Sequence, residues 1–414
     1  MKIKKSGMED DIGFGATRQT RGTITKRGSW LLLACTFVLL HSGGVFGAEV
    51  TVAGFAFAGD FASAAQRFPY TFKLFKRQER ESVEKKFSYL VLQKAKAVTN
   101  AEFEFRSADA LVNLKNSDQA LMTVLMLTGE TVATENYGSY YKTFVNLRGD
   151  VLIFDYKSQT IVRSFPISVV LFDATAEAPT EERISGFVEN LIRREDGQGL
   201  VTQFVRRLGT ATLPKDGAKT IQVRKSEVSP EALALMPAAL QKDPNAVKAM
   251  VSDALGSILS AKLGVSMLPS SIGHAVGGVM SMRLENGDDY KLNLGEGDYV
   301  FDVKLNKFAK IKTSETNVGT AYVYGAYANV HFFEPTLNTD YINSDFKNGE
   351  TAVVPAGQVT SDDFSGYQDA IRGLFLKLSD ALDKPGSKWV TTAAAAKDIT
   401  KQIDSASEIL RKSK

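Results

Sequence analysis

Residues 140–170, YYKTFVNLRGDVLIFDYKSQTIVRSFPISVV, constrain the fold more than any other stretch of the chain. β-Branched and aromatic residues dominate two runs, and a polar turn over residues 155–160 separates them. This pattern predicts two neighbouring strands joined as a hairpin. Residues 320–342 have the same outline, and NVHFFE over 329–334 aligns there with DVLIFD over 150–155. An amphipathic helix is predicted after each stretch, so we interpret the pair as a diverged duplication of one unit.

Other segments have the spacing of amphipathic helices. Apolar residues recur at helical intervals over 78–98, after Thr180, behind Asp243-Pro244 and behind Ser365. Residues 68–75 are predicted to be extended. The order of strands and helices therefore predicts the α+β fold class, with two domains that each combine a sheet with helices.

Chain length and proline content predict the domain organisation. A chain of 414 residues is long enough for two or three domains, and residues 213–245 hold four of the eleven prolines. We predict a leader with a signal peptide over 1–47, a first α+β domain over 48–212, a proline-rich linker over 213–245, a second α+β domain over 246–384 and a C-terminal helix over 385–414.

The N-terminus has the layout of a secretory signal peptide. Lys26 and Arg27 precede a short apolar run over 30–40, and small residues follow that run. The run is too short for a membrane-spanning helix, which needs about 20 apolar residues. We predict cleavage before Ala48. Two alternatives stay open, namely an uncleaved N-terminal anchor and lipid attachment at Cys35.

The composition of the mature chain bears on its compartment and partners. Cys35 is the only cysteine, so cleavage leaves no thiol and the fold must depend on its core without disulfides. The leader holds seven of the 50 basic and three of the 47 acidic residues, which leaves 43 and 44. This balance gives no argument for nucleic-acid binding. We expect a periplasmic or otherwise exported protein, with outer-membrane association as an open alternative. Membrane contact is expected only through an uncleaved N-terminal segment or through the surface.

Catalytic signatures are scarce in this sequence. The mature chain has two histidines, His274 and His331, and the apolar neighbours of His331 favour a structural role for it. Neither the HExxH pattern of zinc enzymes nor the Gly-x-Ser-x-Gly elbow of hydrolases is present. Ser82 and Lys85 match Ser-x-x-Lys, but the companion Ser-Asp-Asn and Lys-Thr-Gly motifs are missing. We therefore assign no catalytic, cofactor-binding or metal-binding residue.

Acidic pairs raise the question of calcium, whose preferred ligands are oxygen atoms. They occur at 288–289, within 340–345 and at 362–363, and none has EF-hand spacing. Solvated loops are the favoured interpretation, and no metal or cofactor is expected. Residues 264–282, rich in Gly, Ser and Met, are predicted to be a packing segment or loop in preference to a membrane contact.

Three pieces of the first half, LTGETV, FVNLRGDVLIFD and KSQTIV, resemble one known group of domains. They are similar to the periplasmic α/β domain of curli-secretion channel lipoproteins, of penicillin-binding-protein activator lipoproteins and of the Tol translocation protein at its N-terminus. The resemblance covers about residues 50–208 and rests on a Thr-Gly strand followed by a hairpin whose turn follows an Asp. It implies a binding module for envelope assembly, and no functional residue is carried over.

These observations lead to one expected function and two alternatives. We expect a non-enzymatic cell-envelope protein that binds a protein partner through exposed sheet edges or through the C-terminal helix. The first alternative is a periplasmic hydrolase or another enzyme with a composite site between the domains, for which His331 and His274 are the candidate histidines. The second is a carrier that holds a small apolar ligand in a cleft between the domains.

Overall fold

Two β-sheets with helices packed on them form this α+β protein in a computed structural model that describes residues 47–107, 120–270, 275–358 and 361–414. The strands are β1 Ala48–Ala58, β2 Phe103–Ser107, β3 Leu121–Asn136, β4 Tyr141–Asp155, β5 Thr160–Thr175, β6 Ile221–Val228, β7 Met267–Leu268, β8 Ala275–Val276, β9 Val279–Leu284, β10 Asp289–Asn293, β11 Tyr299–Glu315, β12 Gly319–Glu334 and β13 Thr339–Pro355. The helices are α1 Ala64–Arg67, α2 Pro69–Gln78, α3 Phe87–Lys96, α4 Glu181–Arg193, α5 Leu200–Thr210, α6 Pro230–Leu233, α7 Ala238–Gln241, α8 Pro244–Leu263, α9 Asp363–Asp383, α10 Lys388–Ala393 and α11 Ile399–Lys412.

The first sheet has the strand order β2-β1-β3-β4-β5-β10-β9-β8. β1 runs parallel to β2 and β3, whereas β3, β4 and β5 form an antiparallel meander. β9 also pairs with the end of β1, through Ala56, Phe57 and Ala58, so the sheet closes on itself. Small and flexible apolar side chains fill the closed part, among them Ala56, Met122, Met126, Met280, Met282 and Leu292.

The second sheet has the order β13-β12-β11-β6-β7. β6 is parallel to both β7 and β11, and β11, β12 and β13 form a second antiparallel meander. One face of this sheet packs on α8 and α9, and the opposite face, which we call the outer face, is directed towards solvent. Alternate side chains of β12 are therefore buried. Large aromatic residues dominate the buried face, including Phe301, Phe332 and Phe346.

Helix α8 lies between the two sheets. It contacts β5 of the first sheet and β6 of the second, and most of its apolar residues belong to the core that the sheets share. Gly256 permits the close approach, because a Cβ there would lie 3.4 Å from Pro166 and 3.6 Å from Val223. Asp243 caps the start of the helix by accepting a hydrogen bond from the backbone N–H of Ala246 at 3.0 Å, as its Asp243-Pro244 sequence predicts.

One unit occurs twice in the molecule: a strand, a helix, a three-stranded meander and a helix. It comprises β1, α3, β3–β5 and α4 in the first copy, and β6, α8, β11–β13 and α9 in the second. In each copy, three extra residues form bulges in the strand pairing, and the bulges lie at matching positions. They are Ala53, Thr128 and Val162 in the first copy, which correspond to Arg224, Asn306 and Tyr341 in the second. Because bulges are specific local features, these matches confirm the repeat predicted from residues 150–155 and 329–334, which lie in the two middle strands.

The structure bears out some local predictions and overturns others. The helix predicted over 78–98 is present only in its second part, because α2 ends at Gln78 and α3 begins at Phe87. The helix after Thr180 is confirmed, and the Thr180 hydroxyl accepts a hydrogen bond from the backbone N–H of Arg183 at 3.3 Å. The extended conformation predicted over 68–75 is wrong, because α2 begins at Pro69. Proline suits the first position of a helix, and the orphan donors of the first turn reach the Glu130 carboxylate on β3.

The middle of the chain is more ordered than a linker. Residues 213–245 contain β6, which is paired on both sides, and the short helices α6 and α7. Residues 275–293, within the predicted second domain, supply β8–β10 to the first sheet. The described residues from Gly47 onwards belong to one compact unit. Which residues fold independently of the others stays a prediction.

The end of the chain forms two packed helices, α10 and α11, where one helix was predicted over 385–414. The segment between them runs beside β13, and the backbone N–H of Ala395 donates to the carbonyl of Asp345 at 2.9 Å. Ile399, Ile403 and Leu410 of α11 are buried in the core. None of the described helices is long and apolar enough to span a membrane. The predicted signal peptide with its leader, and the lipidation alternative at Cys35, lie outside the described residues.

Candidate functional site

A cleft of about 780 Å³ lies between β3, the start of α2 and the start of α8. Its lining combines apolar side chains, among them Ile184 and Leu240, with polar and charged ones, as is usual for small-molecule sites. Hydroxyl, amide and guanidinium groups contribute most of its chemistry, from Tyr70, Thr128, Thr131, Thr134, Asn136, Tyr141, Asn245, Arg67 and Arg148.

Arg148 is the buried cation of this cleft. It is 5% exposed in the middle of β4 and faces α8, where its Nε lies 3.0 Å from Oδ2 of Asp253. Its Nη1 donates to the hydroxyl of Thr131 at 2.8 Å and to the side-chain oxygen of Asn146 at 3.1 Å. Burial lowers the pKa of Arg148, and the Asp253 carboxylate opposes that effect. The guanidinium is therefore fixed in position by several partners.

Gly129 makes room for this guanidinium. A Cβ at residue 129 would lie 2.1 Å from Nη2 of Arg148, far inside van der Waals contact. The preceding residue, Thr128, is the extra residue of a bulge in β3 and lines the cleft. The Thr-Gly pair therefore shapes the cleft wall, because the bulge turns the strand there and the glycine admits Arg148.

Two carboxyl groups accompany Arg148 on the α8 side of β4, the buried one of Asp150 and the partly exposed one of Asp253. Burial raises the pKa of Asp253 to about 6, although the charge and hydrogen bond of Arg148 act in the opposite direction. Burial, and then the charge of Asp253, raise the pKa of Asp150 well above its ordinary value. Asp253 is therefore the carboxylate that balances Arg148, whereas the environment of Asp150 favours its neutral form.

Arg67, the last residue of α1, is the second cation that lines the cleft. Its Nη1 donates to the carbonyl of Ala58 at 2.5 Å, and its guanidinium lies 4.9 Å from the ring centre of Phe68. Burial and the charge of Arg148 lower the pKa of Arg67, while Asp60 opposes them. Two positive charges therefore influence each other across one cleft.

Glu130 faces the same cleft but has a structural role. Its carboxylate accepts hydrogen bonds from the backbone N–H groups of Tyr70 and Thr71, each at 2.8 Å, and from the hydroxyl of Thr71 at 2.6 Å. Burial raises the pKa of Glu130, and these three donors oppose that shift. Glu130 therefore caps α2 from a neighbouring strand.

A second candidate surface is the far end of β11–β13, which we call the apolar end of the second sheet. It contains Ile311, Val318 and Val353, which are 55%, 75% and 62% exposed. Ile311 pairs with Val323, and Val353 pairs with Ala321. The side chains of these two pairs share the outer face, which α8 and α9 do not cover.

The apolar end adjoins an open strand edge. Over residues 347–355, β13 pairs with β12 alone within the described part of the chain. The preceding residues of this edge are covered, since Phe346 bridges to Ala394 and the backbone N–H of Asn343 donates to Gln402 at 3.0 Å. The C-terminal segment thus closes half of the edge and leaves the other half free.

The residues considered for catalysis from sequence are not gathered into one site. His331 lies on the outer face of the second sheet, with Nε2 2.6 Å from Oδ1 of Asp340 and its ring stacked on Phe333. Ser82 and Lys85 are exposed in a turn before α3. His274 lies outside the described residues.

The acidic pairs have polar or cationic neighbours. Asp289 pairs with Arg283 at 3.1 Å, and Asp363 with Lys310 at 2.7 Å. Asp362 pairs with Lys142 and caps α9, and Asp345 accepts a hydrogen bond from Asn329 at 3.1 Å. Within the ranges that the structure describes, no cluster of three His, Cys, Asp or Glu side chains could hold a metal ion.

Sequence reasoning missed the two arginines of the cleft. One signal was available, because Arg148 and Asp150 interrupt the apolar run of β4 with charges at alternate positions. Charged residues are rarely fully buried without partners, so this pair predicts a buried polar network. Arg67 gave no such signal, since its position depends on tertiary contacts such as its hydrogen bond to the carbonyl of Ala58, at the end of β1.

Comparisons with known proteins give little more. No protein-family model matches the chain, and no curated protein matches it. Among solved structures, a Helicobacter pylori protein described as a homolog of neuraminyllactose-binding hemagglutinin matches with a TM-score of 0.24 and 15% identity. The match covers 42% of this chain and 86% of that chain. No functional conclusion follows from a likeness at this level.

Proposed function

We propose that this chain is a non-enzymatic protein-binding module of the cell envelope that takes up an extended segment of a partner protein. The observation that carries the proposal is the open edge of β13 over residues 347–355, beside the apolar end of the second sheet. Unpaired backbone groups along such an edge accept an added strand, and neighbouring apolar pockets select its side chains.

The arrangement of polar and apolar groups supports strand addition. The apolar side chains of Val318 and Val353 are mostly exposed to solvent at one end of the sheet. Exposed apolar side chains that lie together often mark interaction sites. The C-terminal segment already covers the other half of the same edge with backbone and side-chain hydrogen bonds. The covered half shows how a segment fits this edge, and a partner would extend that arrangement.

Export is the second part of the proposal. The signal-like N-terminus and the resemblance of residues 50–208 to periplasmic assembly domains support it. β1 begins at Ala48, so cleavage before that residue would leave the first strand whole. Protein sequencing of the mature N-terminus in the native host tests this part, and a chain that still begins before residue 48 would contradict it.

Site-specific crosslinking tests the partner site. The mature chain is expected to have no cysteine, so a Thr351→Cys variant can be labelled uniquely with a benzophenone maleimide and irradiated with the native envelope fraction. We expect one crosslinked partner, which disappears when Val353→Asp is added. Leu337→Cys is the matched control, because Leu337 is 68% exposed at the opposite end of β12 and β13. Equal crosslinking from both labelled positions, or a partner unaffected by Val353→Asp, would refute the edge as the site.

A further inference from the structure

Two arginines contribute positive charge to the cleft beside β3. Arg67 and Arg148 both line it, and the charge of Arg148 lowers the pKa of Arg67. Asp253 is the one carboxylate within ion-pair distance of Arg148, and no ion pair of Arg67 occurs in the described part of the chain. Asp60, which influences Arg67, has its own partner in the backbone N–H of Ala62 at 3.1 Å.

The other acids at the cleft are engaged elsewhere. Glu130 accepts three hydrogen bonds at the start of α2, and Asp243 accepts one at the start of α8. Both helices begin at the cleft, so their carboxylates compensate the positive ends of the helix dipoles. The charge of Asp243 also raises the pKa of Arg148, so Arg67 is the arginine on which these two carboxylates act least.

One nitrogen of the Arg148 guanidinium, Nη2, is available to donate a hydrogen bond to a ligand. Its Nε and Nη1 have partners, whereas Nη2 lies over Gly129 and makes no hydrogen bond within the described residues. A planar guanidinium binds a carboxylate through two parallel N–H groups. This guanidinium occupies the place that a side chain at residue 129 would take, and Thr128 at the bulge lines the cleft next to it.

We infer that the cleft binds a small organic anion whose carboxylate lies between Arg67 and Arg148 and whose body carries hydroxyl or amide groups. The volume of about 780 Å³ lies within the range of small-molecule sites. Thr134, Asn136 and Tyr141 on one wall, and Asn245 on the other, offer hydrogen-bond partners for such a body. This site is separate from the strand edge of the second sheet, so either proposal can fail without the other.

Titration calorimetry of the purified chain with three probes tests the inference. Glucuronate carries a carboxylate on a hydroxylated ring, glucose lacks the charge, and inorganic phosphate lacks the ring. We expect glucuronate to bind and the other two to bind at least tenfold more weakly. Arg67→Gln should weaken glucuronate binding about tenfold or more, because it removes a charge-assisted hydrogen bond.

A matched control removes the same charge elsewhere. Arg77 is exposed on α2 and does not line the cleft, so Arg77→Gln should leave glucuronate binding unchanged. If Arg67→Gln loses its cooperative thermal transition, Arg67→Lys replaces it. This variant retains the charge without the planar fork and is expected to bind glucuronate severalfold more weakly. Equal affinity for glucuronate and glucose, phosphate binding as tight as glucuronate binding, no measurable binding of glucuronate, or an unchanged affinity in the folded Arg67 variant would each overturn the inference.

Discussion

Gln159 and Asn338 occupy the same place in the two copies of the repeated unit. Each lies four residues after the acidic residue that ends a middle strand, and each adopts the left-handed backbone conformation, with φ of 56° and 50°. They are the two non-glycine residues with positive φ among those that the structure describes. The two hairpins therefore share one turn geometry as well as matching bulges, although their turn sequences differ.

The first prediction exchanges these two residues. Asparagine tolerates the left-handed region better than glutamine, whose longer side chain cannot offset the steric cost locally. We expect Gln159→Asn to raise the free energy of unfolding by roughly 0.3–1 kcal/mol and Asn338→Gln to lower it by a similar amount. Urea denaturation of both variants measures the change. Equal shifts of the same sign would contradict a shared turn geometry.

The repeat is the part of the fold that the sequence predicts best. Residues 150–155 align with 329–334 because both form buried middle strands, whose side chains are restricted by neighbours on two sides. The start of α2 could not be predicted in this way. Its capping group is Glu130, 60 residues further along the chain from Tyr70. The local sequence pattern around Pro69 does not indicate a partner so distant in the chain.

The same limit applies to the cleft and to the closed part of the first sheet. β9 lies far from β1 in sequence, so the pairing of these two strands depends on tertiary packing. The Arg148–Asp253 pair joins a strand to a helix from different copies of the unit. The charge pattern of β4 indicates that Arg148 needs a partner, but it does not identify Asp253 among the many acids of the chain.

The second prediction concerns this buried ion pair. Arg148→Met leaves the mostly buried Asp253 carboxylate without its cation, and the loss should lie at or below the roughly 3–5 kcal/mol typical of a fully buried pair. The double variant Arg148→Met/Asp253→Leu removes both charges and should recover most of that loss. Chemical denaturation of the wild type, both single variants and the double variant gives the coupling energy. Additive effects of the two substitutions would contradict a direct interaction.

The third prediction concerns Asp150, whose counterpart in the second copy is Asn329. A carboxyl whose pKa is raised by folding binds more protons in the folded state, so its contribution to stability falls as the pH rises above about 4, the ordinary value of an Asp. Asp150→Asn removes this cost. We expect the variant to be more stable than the wild type at pH 8 and nearly equal to it at pH 4.

Asp155 provides a control of opposite sign. Burial opposes the shift, but hydrogen bonds from the backbone N–H and hydroxyl of Ser158, at 2.6 Å and 2.9 Å, lower the pKa of Asp155. Asp155→Asn should therefore lower stability at pH 8, with a smaller effect as the pH falls through the pKa of the folded state. Thermal denaturation from pH 8 to below the ordinary Asp pKa of about 4 compares the variants. If the two substitutions changed the pH dependence of stability in the same way, the burial of Asp150 would not explain the effect of Asp150→Asn on stability.

The fourth prediction tests whether α11 is an integral part of the core. Ile403 is buried against the second sheet, whereas Ile409 on the same helix is only partly buried. Ile403→Ala should lower the free energy of unfolding by about 2–5 kcal/mol, because the cavity left behind adds to the lost burial. Ile409→Ala makes the same chemical change and should cost about 1 kcal/mol or less. A loosely attached helix would instead give small and equal losses at both positions in urea denaturation, and the edge of β13 that this segment covers would then also be open to a partner.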